Sequence, residues 1–337
     1  MPETFAAGPG PSRAVRILFA AAAIYAGLFA VHLTGQIGQA GRFRSSTRSP
    51  GEGVVVRGDG LGYYAWLRSP LVDGDWSFEN EFDEFNGTRS AAPGPADRTP
   101  TGRRANPWPV GPACVWAVAA VPGHLALSAL GGDGWWKPDG YTLPYQLLVS
   151  LTTLGLALAG LALTYRAARR FAGPDPAALA AALIALGSPL LCYGAVETGM
   201  SHGIGGAALA AVVWVWLRGF GDESPGRWVV VGLLIGVAAL MRYQLATYSL
   251  LPAGEAAWLA WRTRSLRPAG LLLAAAAAAV AGFTPQLVAW KVVYGAWLVE
   301  PVPLARNWLS PDVSTVLLSA DRGFFYWTPV TAVGPGG

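Results

Sequence analysis

Residues 144–165 read PYQLLVSLTTLGLALAGLALTY, an apolar run without a charge, and Arg166, Arg169 and Arg170 follow it directly. A run of this length crosses a bilayer as a helix. Basic residues gathered at one end of a span stay in the cytoplasm, so the span is expected to run inward. Working outward, the pattern repeats. Residues 177–192 are expected to go out, 204–217 to return to Arg218 and Arg227, and 228–241 to go out again. Residues 245–261 then come back to Arg262, Arg264 and Arg267, and 271–290 run out to Lys291. Three basic clusters agree on one orientation. Toward the N-terminus, Arg13 and Arg16 precede an apolar run over 15–33. It is long and no small-residue cleavage site follows it, so it reads as a first membrane helix rather than a signal peptide.

Composition supports this class. Hydrophobic residues make up 53% of the chain and charged residues 13%, with a mean hydropathy of +0.38. The chain is read as an all-α polytopic membrane protein. A sequence pI near 9.2 does not imply nucleic acid, because the arginines sit at span ends rather than in a polar stripe. Cys114 and Cys192 lie far apart in apolar surroundings, which gives neither a disulfide framework nor a metal site. His32, His124 and His202 lack metal-ligand spacing. There is no Walker A loop, and Gly58-Asp59-Gly60 is no dinucleotide fingerprint. Interfacial belts account for most of the 15 tryptophans.

Residues 1–12 are Pro/Gly-rich and expected to be disordered, and the membrane domain occupies 13–327. Its first loop, 34–142, is mostly polar and expected to be external; long translocated loops escape the positive-inside bias. Within it, 93–102 is a flexible connector and Asn86-Gly87-Thr88 matches a glycosylation sequon. Residues 110–130 are apolar, but Pro109, Pro112 and Pro122 interrupt them and His124 lies inside. A helix resting at the outer interface satisfies the charge arithmetic, whereas a crossing would invert every later span. The turn 193–203 and residues 294–327 are expected outside, and 328–337 begin what reads as a further, truncated span.

The chemistry-bearing stretch is Arg57-Gly58-Asp59-Gly60-Leu61-Gly62-Tyr63-Tyr64-Ala65-Trp66-Leu67-Arg68, followed by Asp73, Asp75, Glu79 and Glu81. The flanking glycines free the backbone of bulk around Asp59. Asp59 itself fits a helix N-cap, with Tyr63 and Trp66 following at helical spacing. On the expected outer side it joins Arg103, Arg104, Glu197, His202, Arg242, Gln244, Lys291 and Arg322. Carboxylates there can serve as general bases and arginines can hold phosphate in forked geometry, although interfacial arginines also simply snorkel. Inside the spans, Glu255 is the exceptional charge, and the sequence offers it no partner.

Several segments in order carry a resemblance. They are Asp59-Gly60-Leu61-Gly62-Tyr63-Tyr64, Asn80-Glu81-Phe82, and Arg103-Arg104-Ala105-Asn106-Pro107-Trp108-Pro109. The series continues with the Glu197-to-His202 turn, Met241-Arg242-Tyr243-Gln244, and Asp321-Arg322-Gly323-Phe324-Phe325-Tyr326-Trp327-Thr328-Pro329. Together they resemble bacterial members of the GT-C superfamily of membrane glycosyltransferases, which includes protein O-mannosyltransferases and lipid A aminoarabinose transferases. Gly60 stands where the family often carries a second acid, and the family's C-terminal helices are missing. The resemblance implies a GT-C-like bundle in the cytoplasmic membrane of a bacterium, with its active site facing outward. It implies inverting transfer of a sugar from a polyprenyl-phosphate donor to a glycan, lipid or protein acceptor. Asp59 would be the base, and Arg103, Arg104, Arg242 and Arg322 would hold the phosphate. Glu197, His202 and Gln244 would line the substrate site. Asp73, Asp75 and Glu81 would contact the acceptor or an optional divalent cation. Two other classes compete: an inactive, truncated relative acting as a membrane scaffold, and a transporter or flippase, which would need ionisable groups at mid-membrane.

Overall fold

The computed structural model describes residues 12–42, 56, 58–85, 98–299, 312–321 and 323–328. Arg57, the sequon at 86–88, Arg322 and the tail from 329 lie outside the described residues. The described chain is helical. It runs α1 (Arg13–Arg42), α2 (Asp59–Arg68), a π-helical turn (Ser69–Asp73), α3 (Glu79–Phe85), α4 (Gly111–Leu130) and α5 (Leu143–Ala168). Then come α6 (Pro174–Leu186), α7 (Leu190–Ala195), α8 (Ser201–Arg218), α9 (Pro225–Met241), a 3-10 turn (Tyr243–Ser249), α10 (Leu250–Thr263) and α11 (Arg267–Tyr294). Two short helices follow, α12 (Val313–Leu318) and α13 (Phe324–Trp327). Four stretches are long and apolar enough to cross a membrane: Arg13–Ile37, Gly111–Leu130, Leu143–Ala168 and Arg267–Tyr294.

Three expectations are corrected. The span read at 177–192 is two helices, because Gly187-Ser188-Pro189 separates α6 from α7. The span read at 245–261 begins as a 3-10 turn and becomes α-helical only at Leu250. The prolines do not interrupt α4. Pro112 sits in its first turn, where no backbone donor is needed, and Pro122 lies inside an unbroken helix beside the exposed Val118.

Small residues set the bundle's closest contact. A Cβ built on Gly232 would lie 2.0 Å from the carbonyl oxygen of Ala275, and one on Gly236 would lie 2.1 Å from that of Ala279. Helices α9 and α11 therefore run parallel with backbones touching, as Gly-x-x-x-Gly spacing permits. Helix α5 runs parallel to α8 in the same way, with Gly203 beside Thr153 and Gly160 against Ala207. Their C-terminal ends meet at Trp214, whose ring faces both Arg166 and Arg218.

The buried Glu255 has a partner after all. Arg227 donates from Nη1 to Oε1 at 2.8 Å and from Nη2 to Oε2 at 2.7 Å. Trp216 Nε1 and the Gly221 amide complete its coordination. This cluster ties α8, α9 and α10 together at the arginine-rich end.

Helix α4 belongs to the opposite end. Trp116 Nε1 donates to Thr153 Oγ1 at 3.0 Å and His124 meets Tyr145 Oη at 2.6 Å, so α4 lies antiparallel along the first turns of α5. Its start abuts the C-terminus of α9, where Gly111 faces the Leu240 carbonyl, and Gln286 of α11 accepts the Val110 amide at 2.8 Å.

Gly236→Leu should force α9 and α11 apart and destabilise the protein by at least about 1–3 kcal/mol. Gly254→Leu, at a position with open space around it, should not. Thermal melting of both variants in detergent checks the difference.

Candidate active site

The site is built on α2. Gly58 precedes the helix with φ 56° and ψ −133°, a backbone state that a side chain would strain. Gly58 thus occupies the N-cap position, and Asp59 is the first helical residue, contrary to the N-cap expected for it. A carboxylate in the first turn is favourable to the helix dipole. From Gly60 to Arg68 every residue is buried. The segment 98–109 covers one flank. Asn106 Nδ2 donates to the Gly62 carbonyl at 2.9 Å, Trp66 Nε1 donates to the Trp108 carbonyl at 2.8 Å, and the Trp108 indole packs flat on Gly62.

At the Asp59 end, Gly60 touches the turn before α8. A Cβ there would lie 2.9 Å from the carbonyl oxygen of Gly199, so the second acid of the resembling family has no space in this chain. Tyr63, one turn beyond Asp59, is the meeting point. Asp59, Arg242, Tyr193 and Ser201 all act on its phenol. Burial raises the Tyr63 pKa, against the opposing pull of Ser201 and Arg242, and keeps the phenol a neutral donor. His202 stacks on Tyr193 with centroids 4.0 Å apart and also lies within electrostatic reach of Arg242. The stem of Arg242 packs over Gly205 of α8. Glu197 lies half-buried in the same turn, its carbonyl accepting the Met200 amide.

The acids expected at the acceptor stand elsewhere. Helix α2 is ten residues long, which separates its ends by roughly 14 Å. At its far end Arg68 Nη1 donates to Glu81 Oε1 at 2.8 Å and to Asp73, its Nε donates to the Asp139 carbonyl, and its guanidinium lies 3.8 Å over the Tyr141 ring. Asp75 accepts from Ser69 Oγ and the Ser77 amide. With Asp73 and Glu81 engaged by arginine, this donor set does not suit a cation. Among the described residues no group of three or more His, Cys, Asp or Glu side chains could hold a metal ion.

Of the expected phosphate ligands, Arg103 donates to the Val292 carbonyl at the end of α11 and Arg104 is only 2% exposed. Both anchor the loop. Gln244 is exposed in the 3-10 turn, and Arg322 lies outside the described residues. The structure therefore brings together Asp59, Glu197, His202 and Arg242, and sets Asp73, Asp75, Glu81, Arg103 and Arg104 apart. Tyr63, Tyr193, Thr198 and Ser201 were missed as site members. The Thr-Gly-Met-Ser-His run ahead of an apolar helix was the signal for the last two.

The family model described as dolichyl-phosphate-mannose-protein mannosyltransferase matches residues 147–290. The chain is an all-helical, multi-pass membrane protein, and that stretch of it is similar to membrane glycosyltransferases. The matched stretch runs from α5 nearly to the end of α11, so it includes Glu197, His202 and Arg242 but not Asp59. No curated protein and no solved structure matches the chain.

Burial lifts the Glu81 carboxyl from 4.5 to about 7, against the pull of Arg68, and its Oε2 has no partner. Between those values the folded protein holds a proton that the unfolded chain has released. Stability is then greatest at low pH and falls as pH rises through about 7. Melting temperatures in detergent should fall from pH 5 to pH 8, and Glu81→Gln should flatten that part of the profile.

Proposed function

We propose that the protein transfers a sugar from a polyprenyl-phosphate carrier to a hydroxyl of a glycan, lipid or protein acceptor at the outer face of the cytoplasmic membrane of a bacterium. Sugar transfer from such a donor is what the family match over residues 147–290 suggests; the base and the orientation are our reading. One observation carries it: a partly exposed carboxylate, Asp59, and Arg242, which has no ion-pair partner among the described residues, both act electrostatically on the Tyr63 phenol. Asp59 takes the proton of the acceptor hydroxyl as its oxygen attacks the anomeric carbon. The glycosyl–phosphate bond breaks on the opposite side, inverting the centre, and Arg242 stabilises the departing lipid phosphate. Gln244 and Arg322 complete the donor side in this reading. Asp73 and Glu81 shape the acceptor face through Arg68, and Asp75 through Ser69 and Ser77, rather than by direct contact.

The pairing of Glu255 with Arg227 weakens the transporter reading, because it neutralises the buried charge that an ion path would require. Orientation follows from the arginine clusters. Loop 34–142 and α4 lie outside, and Arg169 and Arg264 lie in the cytoplasm. In a variant lacking Cys114 and Cys192, an impermeant thiol reagent applied to intact cells should label a cysteine at position 83 and spare one at 264. The reverse pattern would invert the proposed orientation.

Asp59→Asn should reduce transfer by about 10²–10⁴-fold, with expression and membrane insertion unchanged. The amide keeps the shape of the side chain but cannot take the proton. Radiolabelled donor turnover by the full-length enzyme measures this. A variant that transfers at the unmutated rate would exclude Asp59 as the base, and an inactive unmutated protein would favour the scaffold reading.

A further inference from the structure

Helix α8 starts beside Tyr63 with its first turn open. Met200 precedes it without a side-chain cap, and no acidic residue lies in the first turn. The first amides of an α-helix lack intrahelical partners and carry the positive end of its dipole. Three side chains at this end are also unpartnered. Thr198 Oγ1 and Ser201 Oγ are buried without a hydrogen bond, their residues only 1% and 0% exposed. Nδ1 of His202 is likewise unpartnered. Tyr63 Oη faces Ser201 without the geometry of a hydrogen bond. Buried hydroxyls are ordinarily satisfied, and leaving one open is destabilising. The guanidinium of Arg242 reaches the same turn, its stem lying on Gly205. It makes no ion pair or hydrogen bond with a described residue.

Unsatisfied amides, two buried hydroxyls and an uncompensated arginine around one point share a single deficit, which is an anion with several acceptor oxygens. We propose that the N-terminus of α8, with Thr198, Ser201 and Arg242, forms the cradle for the phosphate of the lipid donor. This rests on the transfer reading and adds to it the groups that receive the leaving group. The hydroxyls donate to non-bridging oxygens, the open amides and Arg242 take the charge, and Tyr63 stands between the cradle and Asp59. Asp59 repels the bound anion, which keeps the base and the leaving phosphate on different sides of the reacting carbon.

The test measures binding to the full chain in detergent, with farnesyl phosphate as the phosphate probe and farnesol as its uncharged counterpart. Hydrogen bonds to a charged group contribute enough that Ser201→Ala and Thr198→Val should each weaken farnesyl phosphate by about 10-fold, and Arg242→Gln by about 10- to 100-fold. Farnesol binding should not move, and the melting temperature without ligand should not fall. Thr198→Ser, which keeps the hydroxyl, should restore the affinity lost in Thr198→Val, so a folding defect in the valine variant cannot imitate the result; unchanged farnesol binding excludes such a defect in Ser201→Ala. Farnesyl phosphate bound within twofold of the unmutated affinity by all three variants overturns the cradle. Inorganic phosphate should displace the probe only at concentrations at least about 100-fold higher; displacement at equal concentrations would overturn the assignment to a lipid phosphate. Asp59→Asn should bind the probe at least as tightly as the unmutated protein, since it removes a repulsive charge. Its transfer rate judges the base, and its binding judges the cradle, so either can fail alone.

Discussion

Where the Gly199 carbonyl lies, position 60 has no room for a side chain, and this backbone contact sets the geometry of the site. It brings the first turn of α2 onto the turn before α8, so that Asp59 and Tyr63 arrive beside Ser201, His202 and Arg242. The loop and the bundle are otherwise distant in sequence. A glycine contact of this kind tolerates little displacement, because interiors are close-packed and interfaces shift in steps rather than continuously. Asp59 can reach the α8 turn only because its neighbour carries no side chain.

The far end of α2 meets a different requirement. Arg68 is buried, and a buried guanidinium must find acceptors for its donors or lose several kcal/mol. Asp73, Glu81, the Asp139 carbonyl and the face of Tyr141 supply them from four separate segments. Of the acids that look in sequence like a solvent-exposed functional run, Glu81 is buried against this arginine, while Asp73 pairs with it from an exposed position. Together they tie the end of α2 to α3 and to the turn between them.

Much of the bundle was legible because hydrophobic run length and arginine placement report directly on helices in lipid. Residues 144–165 and 271–290 fall within α5 and α11. The failures share a cause. Gly187-Ser188-Pro189 and the 3-10 start at Tyr243 are local backbone choices inside apolar stretches, where hydropathy is blind to them. Pro122 misled in the other direction, since a helix can keep its course when its free carbonyl lies at an exposed position. The site was half legible. Asp59, Glu197, His202 and Arg242 were visible as unusual charges beside apolar spans, while the duty of Glu81, Asp73 and Arg104 depends on burial, which no spacing records. Glu255 shows the same limit, because its partner Arg227 is adjacent only through the packing of α9 on α10.

That last pair has a mechanical consequence. Two hydrogen bonds from Arg227, together with those from Trp216 and Gly221, fasten the ends of α8 and α9 to α10 around one carboxylate. The other ends of α8 and α9 carry open hydroxyls and a guanidinium, that of Arg242, without a partner among the described residues. The two ends are thus held by different means, ionic hydrogen bonds at the basic end and close glycine packing at the Ser201 end. Loss of the one carboxylate would release three helix ends at once, whereas the 18 residues of α8 would still lie against α5 through Gly203 beside Thr153 and Ala207 beside Gly160.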